Sequence, residues 1–121
     1  MAADAVPVPP SSAAEMCSHL GYDWLLVDTQ HGPTMNPESL SAMLCAISSG
    51  EAKSLVRVGG AHDRNGAQQA LDLSADGILI PYINNEEEAK QAISMCLYPM
   101  AGTRSVYFPL EGRMCHPCQR S

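Results

Sequence analysis

The residues best suited to chemistry are a histidine and an arginine, each placed at the end of an apolar run. His31 lies in Asp28-Thr29-Gln30-His31-Gly32-Pro33, directly after Trp24-Leu25-Leu26-Val27. Arg57 falls in Ser54-Leu55-Val56-Arg57-Val58, just before Gly59-Gly60. A histidine moves protons near neutral pH. An arginine grips a carboxylate with two parallel N–H donors and stabilises negative charge developing on oxygen. Together they suit a small anionic substrate whose reaction passes through an enolate or oxyanion. Plainer roles are open to both: His31 can cap the helix that follows it, and Arg57 can form a structural ion pair with Asp28 or Asp72.

The remaining candidates are weaker. Cys115-His116-Pro117-Cys118 is a lone CxxC. A structural zinc site takes four ligands, usually as two such halves, and the sequence holds no second half. A redox CxxC opens a helix after a strand, whereas this one lies in an unpatterned stretch. Glu86, Glu87 and Glu88 read as the acidic first turn of a helix, where the dipole favours them, and not as a metal cluster. His19 and His62 read as solvated.

Positioning His31 and Arg57 requires strands. Trp24 to Val27 is a short continuous apolar run, the pattern of a strand buried on both faces. Residues 54–58 and 77–81 give two more. Between them lie helical patterns. Ser11 or Ser12 caps residues 13–20, which stop at Gly21. Asn36 caps a helix with Pro37 at its first position and Leu40, Met43, Leu44 and Ile47 at helical spacing, ended by Gly50. A helix runs around residues 68–73. Asn85 caps a last helix, with Glu88 at the capping-box position, which ends near Leu97. Helices alternating with strands predict βαβ units, right-handed crossovers and a parallel sheet. In such folds functional groups gather at the C-terminal strand ends, where His31 and Arg57 fall. No Gly-rich dinucleotide fingerprint or Walker A motif follows any strand.

Composition narrows the classes. A chain of 121 residues holds one domain, and 45% hydrophobic with 17% charged residues is ordinary for a globular protein, which argues against general disorder. The net charge of −6, with Lys and Arg scattered, argues against nucleic acid as a partner. No stretch approaches the ~20 apolar residues of a membrane span, and the N-terminus lacks the features of a signal or transit peptide. Cys17, Cys45 and Cys96 sit singly in apolar helical patterns, as small buried hydrophobes do. A reducing, cytoplasmic location is the expectation. Residues 1–10 read as a loose leader, 11–109 as the folded unit, and 110–121 as a divergent tail without apolar period.

Four stretches carry a resemblance: LLVDTQHGP at 25–33, LVRVGG at 55–60, ALDLSADGILIP at 70–81 and YPMAGTRSV at 98–106. In this order and spacing they resemble the HpcH/HpaI family of metal-dependent pyruvate aldolases. The resemblance implies a (β/α)8 TIM barrel, of which this chain holds a part, about three to four strand–helix units. It implies reversible cleavage of a 4-hydroxy-2-oxo acid to pyruvate and an aldehyde, assisted by Mg²⁺ or Mn²⁺, in an oligomer that is usually a hexamer. Carried over by position, His31 is the proton acceptor, Arg57 stabilises the pyruvate enolate, and Asp72 pairs with the histidine, a role that fits because a carboxylate stabilises imidazolium. Gln30 departs from the glutamate that many members carry there. The metal-binding Glu and Asp of the family have no counterpart in this sequence. A full barrel takes ~250 residues, so the chain on its own is expected to turn over little or nothing. The alternative expectation is a non-catalytic partial barrel that associates through its open sheet edges.

Overall fold

The structure is a computed structural model that describes residues 11–32 and 36–106. The leader 1–10, the tail 110–121 with its CxxC, and Pro33 lie outside the described residues. Four helices and three strands alternate: α1 (Ser11–Ser18), β1 (Trp24–Asp28), α2 (Pro37–Ser48), β2 (Lys53–Arg57), α3 (Arg64–Asp72), β3 (Gly77–Leu79) and α4 (Glu86–Cys96). The strands form one parallel sheet in the order β1-β2-β3. That is the expected architecture of three consecutive strand–helix units.

Local chemistry explains most boundaries. Asn36 accepts the Ser39 N–H at 2.8 Å and Pro37 opens α2 with its φ already set. Asn85 accepts the Glu88 N–H at 2.8 Å. Glu88 reaches back to the N–H of Asn84, one residue before the expected capping-box target. α3 starts four residues earlier than residue 68. Asp63 caps it by accepting the Gly66 N–H, and also accepts the Gly59 N–H. A Cβ on Gly66 would meet the Asp63 carboxylate at 2.3 Å, so the glycine lets the cap close. β3 pairs over three residues only, ending two short of Pro81, which has no N–H to give a ladder.

The core lies between the sheet and its helices. Val27, Val56 and Val58 meet Leu40, Leu44 and Ile47 of α2 and Ala70 of α3, with Leu25, Ile78 and Ile80 packed alongside. α1 lies against α2, and α3 against α4. Ser54 is the polar exception on the buried face. Asp76 accepts both its N–H at 2.8 Å and its hydroxyl at 3.0 Å, so burying it leaves nothing unpaired and ties β2 to the start of β3.

Burial of β1 on both faces is corrected. Val27 is 2% exposed, but Trp24 and Leu26 are 54% and 47% exposed. On the same face of the sheet, Leu79 of β3, in register with Arg57 and Asp28, is exposed too. Side chains alternate across a strand, and among the described residues the helices cover only one face of the sheet.

Candidate functional site

The register places Asp28 opposite Arg57 at the C-terminal ends of β1 and β2. Their side chains meet as a fork on a fork: Arg57 Nε donates to Asp28 Oδ1 at 2.9 Å and Nη2 donates to Oδ2 at 2.5 Å. Asp28 Oδ1 also accepts the backbone N–H of Gln30 at 2.9 Å and of His31 at 3.1 Å, which folds the loop after β1 into a turn around the carboxylate. Gly32 belongs to that turn, since a Cβ there would meet the Asp28 carbonyl oxygen at 2.3 Å. Thr29 closes the arrangement, donating its N–H and hydroxyl to the Arg57 carbonyl.

The electrostatics follow. Partial burial pushes the Asp28 carboxyl up, but the Arg57 hydrogen bond, the Gln30 and His31 N–H groups and the Arg57 charge outweigh it, so it lies below its ordinary value. The same balance holds at Asp76, where burial is outweighed by the Ser54 backbone and hydroxyl donors and by Lys53. Both carboxylates therefore ionise more easily folded than unfolded. Their stabilisation is complete above the unfolded-state value of about 3.9 and disappears as pH falls through the lower folded-state values. Urea midpoints are expected to stay level at about pH 5 and above and to fall below about pH 4, with Asp76→Asn flattening the decline. An unchanged midpoint in acid would contradict this account.

Two of the five guanidinium N–H donors of Arg57 face Asp28. Among the described residues nothing engages the Nη1 pair, and the side chain keeps 25% exposure. The His31 ring is exposed and makes no hydrogen bond among the described residues. The rim thus offers an oriented cation and an accessible imidazole three residues beyond the aspartate that orients it.

Asp72 is elsewhere. It ends α3, which runs back antiparallel to the strands, so it lies towards the N-terminal end of β3, while His31 follows the C-terminal end of β1. A five-residue strand such as β2 spans about 16 Å between those two ends. The pairing of Asp72 with His31 is therefore not formed within this chain. Its partner is Arg104, whose Nη2 donates to Oδ1 at 2.6 Å while its guanidinium lies 4.5 Å from the centre of the Tyr98 ring. The sequence raised the Asp28–Arg57 pair only as one of two options and did not single out Arg104, whose one signal is its place in YPMAGTRSV.

Among the described residues no group of three or more His, Cys, Asp or Glu is arranged to hold a metal ion. The rim carboxylates Asp28 and Asp63 each have both oxygens engaged, Asp28 by Arg57 and Asp63 by the N–H groups of Gly59 and Gly66. The described residues therefore do not fit the Mg²⁺ or Mn²⁺ ion that the resemblance implies. An open depression of about 440 Å³, lined by Tyr22, Trp24, Glu51 and Lys53, lies at the opposite end of the sheet from His31 and is not this site.

The model of the HpcH/HpaI aldolase/citrate lyase family matches residues 6–115. The chain belongs to that family. Among its relatives, a 4-hydroxy-2-oxovalerate aldolase of Novosphingobium aromaticivorans is 37% identical over 77% of this chain and 35% of its own length. A 2-dehydro-3,6-dideoxy-6-sulfogluconate aldolase of Pseudomonas putida is 39% identical over 78% of this chain and 36% of its own. A solved family member from Burkholderia cenocepacia superposes with a TM-score of 0.77 at 29% identity, covering 84% of this chain and 41% of that one. The chain thus spans little more than a third of the length of the curated relatives it matches, and its three strand–helix units are a portion of the family's TIM barrel. No helix among the described residues is long and apolar enough to cross a membrane.

Proposed function

We propose that this chain carries the proton-moving and anion-holding part of an aldol-cleaving site that acts on a small 2-oxo acid such as pyruvate or its 4-hydroxy adducts. The observation that carries this is the Arg57 guanidinium at the C-terminal rim, held by Asp28 with its Nη1 donors turned to no described residue. Arg57 binds the carboxylate or the enolate oxygen of the ligand, and the fixed fork costs little reorganisation when charge develops there. His31 takes or returns the proton. The names of the aldolase relatives support the class of reaction, and no acceptor aldehyde is assigned. With three strands and no fitting metal ligands among the described residues, the chain alone binds the oxo acid but turns it over little.

The test pairs two measurements on the purified chain. Pyruvate or oxamate titrated into ¹⁵N-labelled protein is expected to shift resonances of residues 28–32 and 57–60. Pyruvate release from a 4-hydroxy-2-oxo acid, with Mg²⁺ or Mn²⁺ present, is expected to stay at background. A folded chain that shows no shifts at those residues would refute the site, and clear turnover would refute the limit placed on it.

A second reading rests on a different observation. Among the described residues β1 and β3 are both open sheet edges, and Trp24, Leu26 and Leu79 share a face that no described element covers. Such a surface favours a non-catalytic chain that associates with itself. A monomer on a sizing column at micromolar concentration counts against it.

A further inference from the structure

We infer that Asp28 is the positioning residue of the rim, a single carboxylate that sets both the orientation of the Arg57 guanidinium and the shape of the loop that presents His31. The inference rests on the site proposed above. Asp28 makes four contacts, two to Arg57 side-chain nitrogens and two to the N–H groups of Gln30 and His31. Nε and Nη2 are the two donors it takes, and fixing both leaves the guanidinium plane no free rotation, so the direction of Nη1 is determined. Oδ1 is shared between Nε and the two loop amides, so any movement of the carboxylate moves the arginine and the histidine loop together. Thr29 closes the same unit from the other side, through the Arg57 carbonyl. Asp72, by contrast, spends its carboxylate on Arg104 near the other end of the sheet.

A purely electrostatic view of Asp28 gives the opposite expectation to a positioning role. Asp28 is an anion beside an anion-binding arginine. If it only balanced charge, removing it would free a cation and tighten the binding of pyruvate. If it positions Arg57 and the loop, removing it weakens binding although the site becomes more positive.

The experiment compares oxamate affinity, by calorimetry, for the wild-type chain, Asp28→Asn and Asp76→Asn. Asp76 is a control of similar kind, a carboxylate held by backbone and hydroxyl donors at the far end of β2. Positioning predicts affinity about tenfold weaker in Asp28→Asn, the equivalent of one charge-assisted hydrogen bond, with Asp76→Asn unchanged. The Arg57 Nε–H resonance supplies a readout independent of stability: sharp and slow to exchange in the wild type, broadened or lost in Asp28→Asn. Equal or tighter binding by a folded Asp28→Asn chain overturns the inference while leaving the site itself standing. Absence of oxamate binding in the wild type overturns both. Should Asp28→Asn not fold, Asp28→Glu keeps the charge but displaces the carboxylate by one methylene. Weaker binding there supports positioning, and wild-type affinity refutes it.

Discussion

Replacing Arg57 by alanine is expected to weaken pyruvate or oxamate binding by about a hundredfold or more. A hydrogen bond to a charged group contributes about 1.5–3 kcal/mol, and two such bonds from the Nη1 side exceed the ~2.8 kcal/mol that a factor of a hundred requires. The loss has a second source. Alanine leaves the Asp28 carboxylate without the partner that occupies both its oxygens. That anion then faces the place an anionic ligand must occupy. Arg57→Lys separates the two effects. Lysine restores a positive charge next to Asp28 but has no planar fork, so it serves the aspartate or the ligand and not both. Its expected affinity lies between wild type and alanine, with a loss of about tenfold. Calorimetry with oxamate measures all three. An alanine variant that binds as tightly as the wild type would show that the anion sits elsewhere, and with it the functional reading of the rim would fall. The fold should survive the substitution, because Arg57 lies on the exposed side of β2 and only the helix-facing side, with Val56 and Val58, enters the core.

How far this site was legible in the sequence depended on whether each signal was local. Asn36-Pro37 and Asn85 followed by three glutamates are complete signals within four residues, and both helices start where they say. Asp63 is as good a cap, but Arg-Asn-Gly behind it lowers helix propensity and hid the first turn of α3. The apolar run of β1 read as buried on both sides because a continuous run carries no record of how many layers will cover it. Whether Trp24 and Leu26 are buried is decided by neighbours, not by their own residue types. His31 and Arg57 were legible because the C-terminal strand rule needs only strand order and direction. The partner of Arg57 needed the register, which sets Asp28 beside it, while Asp72 pairs with Arg104. The separation of Asp72 from His31 within the chain was legible for the opposite reason. A parallel unit sends its helix back along the strand, so a residue that ends a helix and one that follows a strand stand at opposite ends of the sheet. That consequence was available from the element order alone.

Ile47→Ala is expected to cost about 2–5 kcal/mol, the range for emptying a buried isoleucine site. Ile47 is 1% exposed on α2 and belongs to the cluster of Val27, Val56, Val58 and Leu44. In a domain whose total stability falls within about 5–15 kcal/mol, and at the lower end for a small core, that is a large fraction. Near the melting temperature the loss corresponds to a fall of at least about 8 °C. Calorimetric or circular-dichroism melts measure it, and a fall of under a few degrees would mean that the core described around α2 does not carry the fold. Leu26→Ala makes the contrast informative. Leu26 is as apolar as Ile47 but 47% exposed on the uncovered face of the sheet. For an isolated monomer its removal costs little, since a half-exposed side chain has lost only part of its contact with water. If copies of the chain cover that face for one another, Leu26 becomes an interface residue and the wild-type melting temperature rises with protein concentration. The alanine variant then loses that dependence, whereas Ile47→Ala keeps it and melts lower at every concentration. The same pair of variants therefore tests the core and decides whether the open face is solvent-facing or shared.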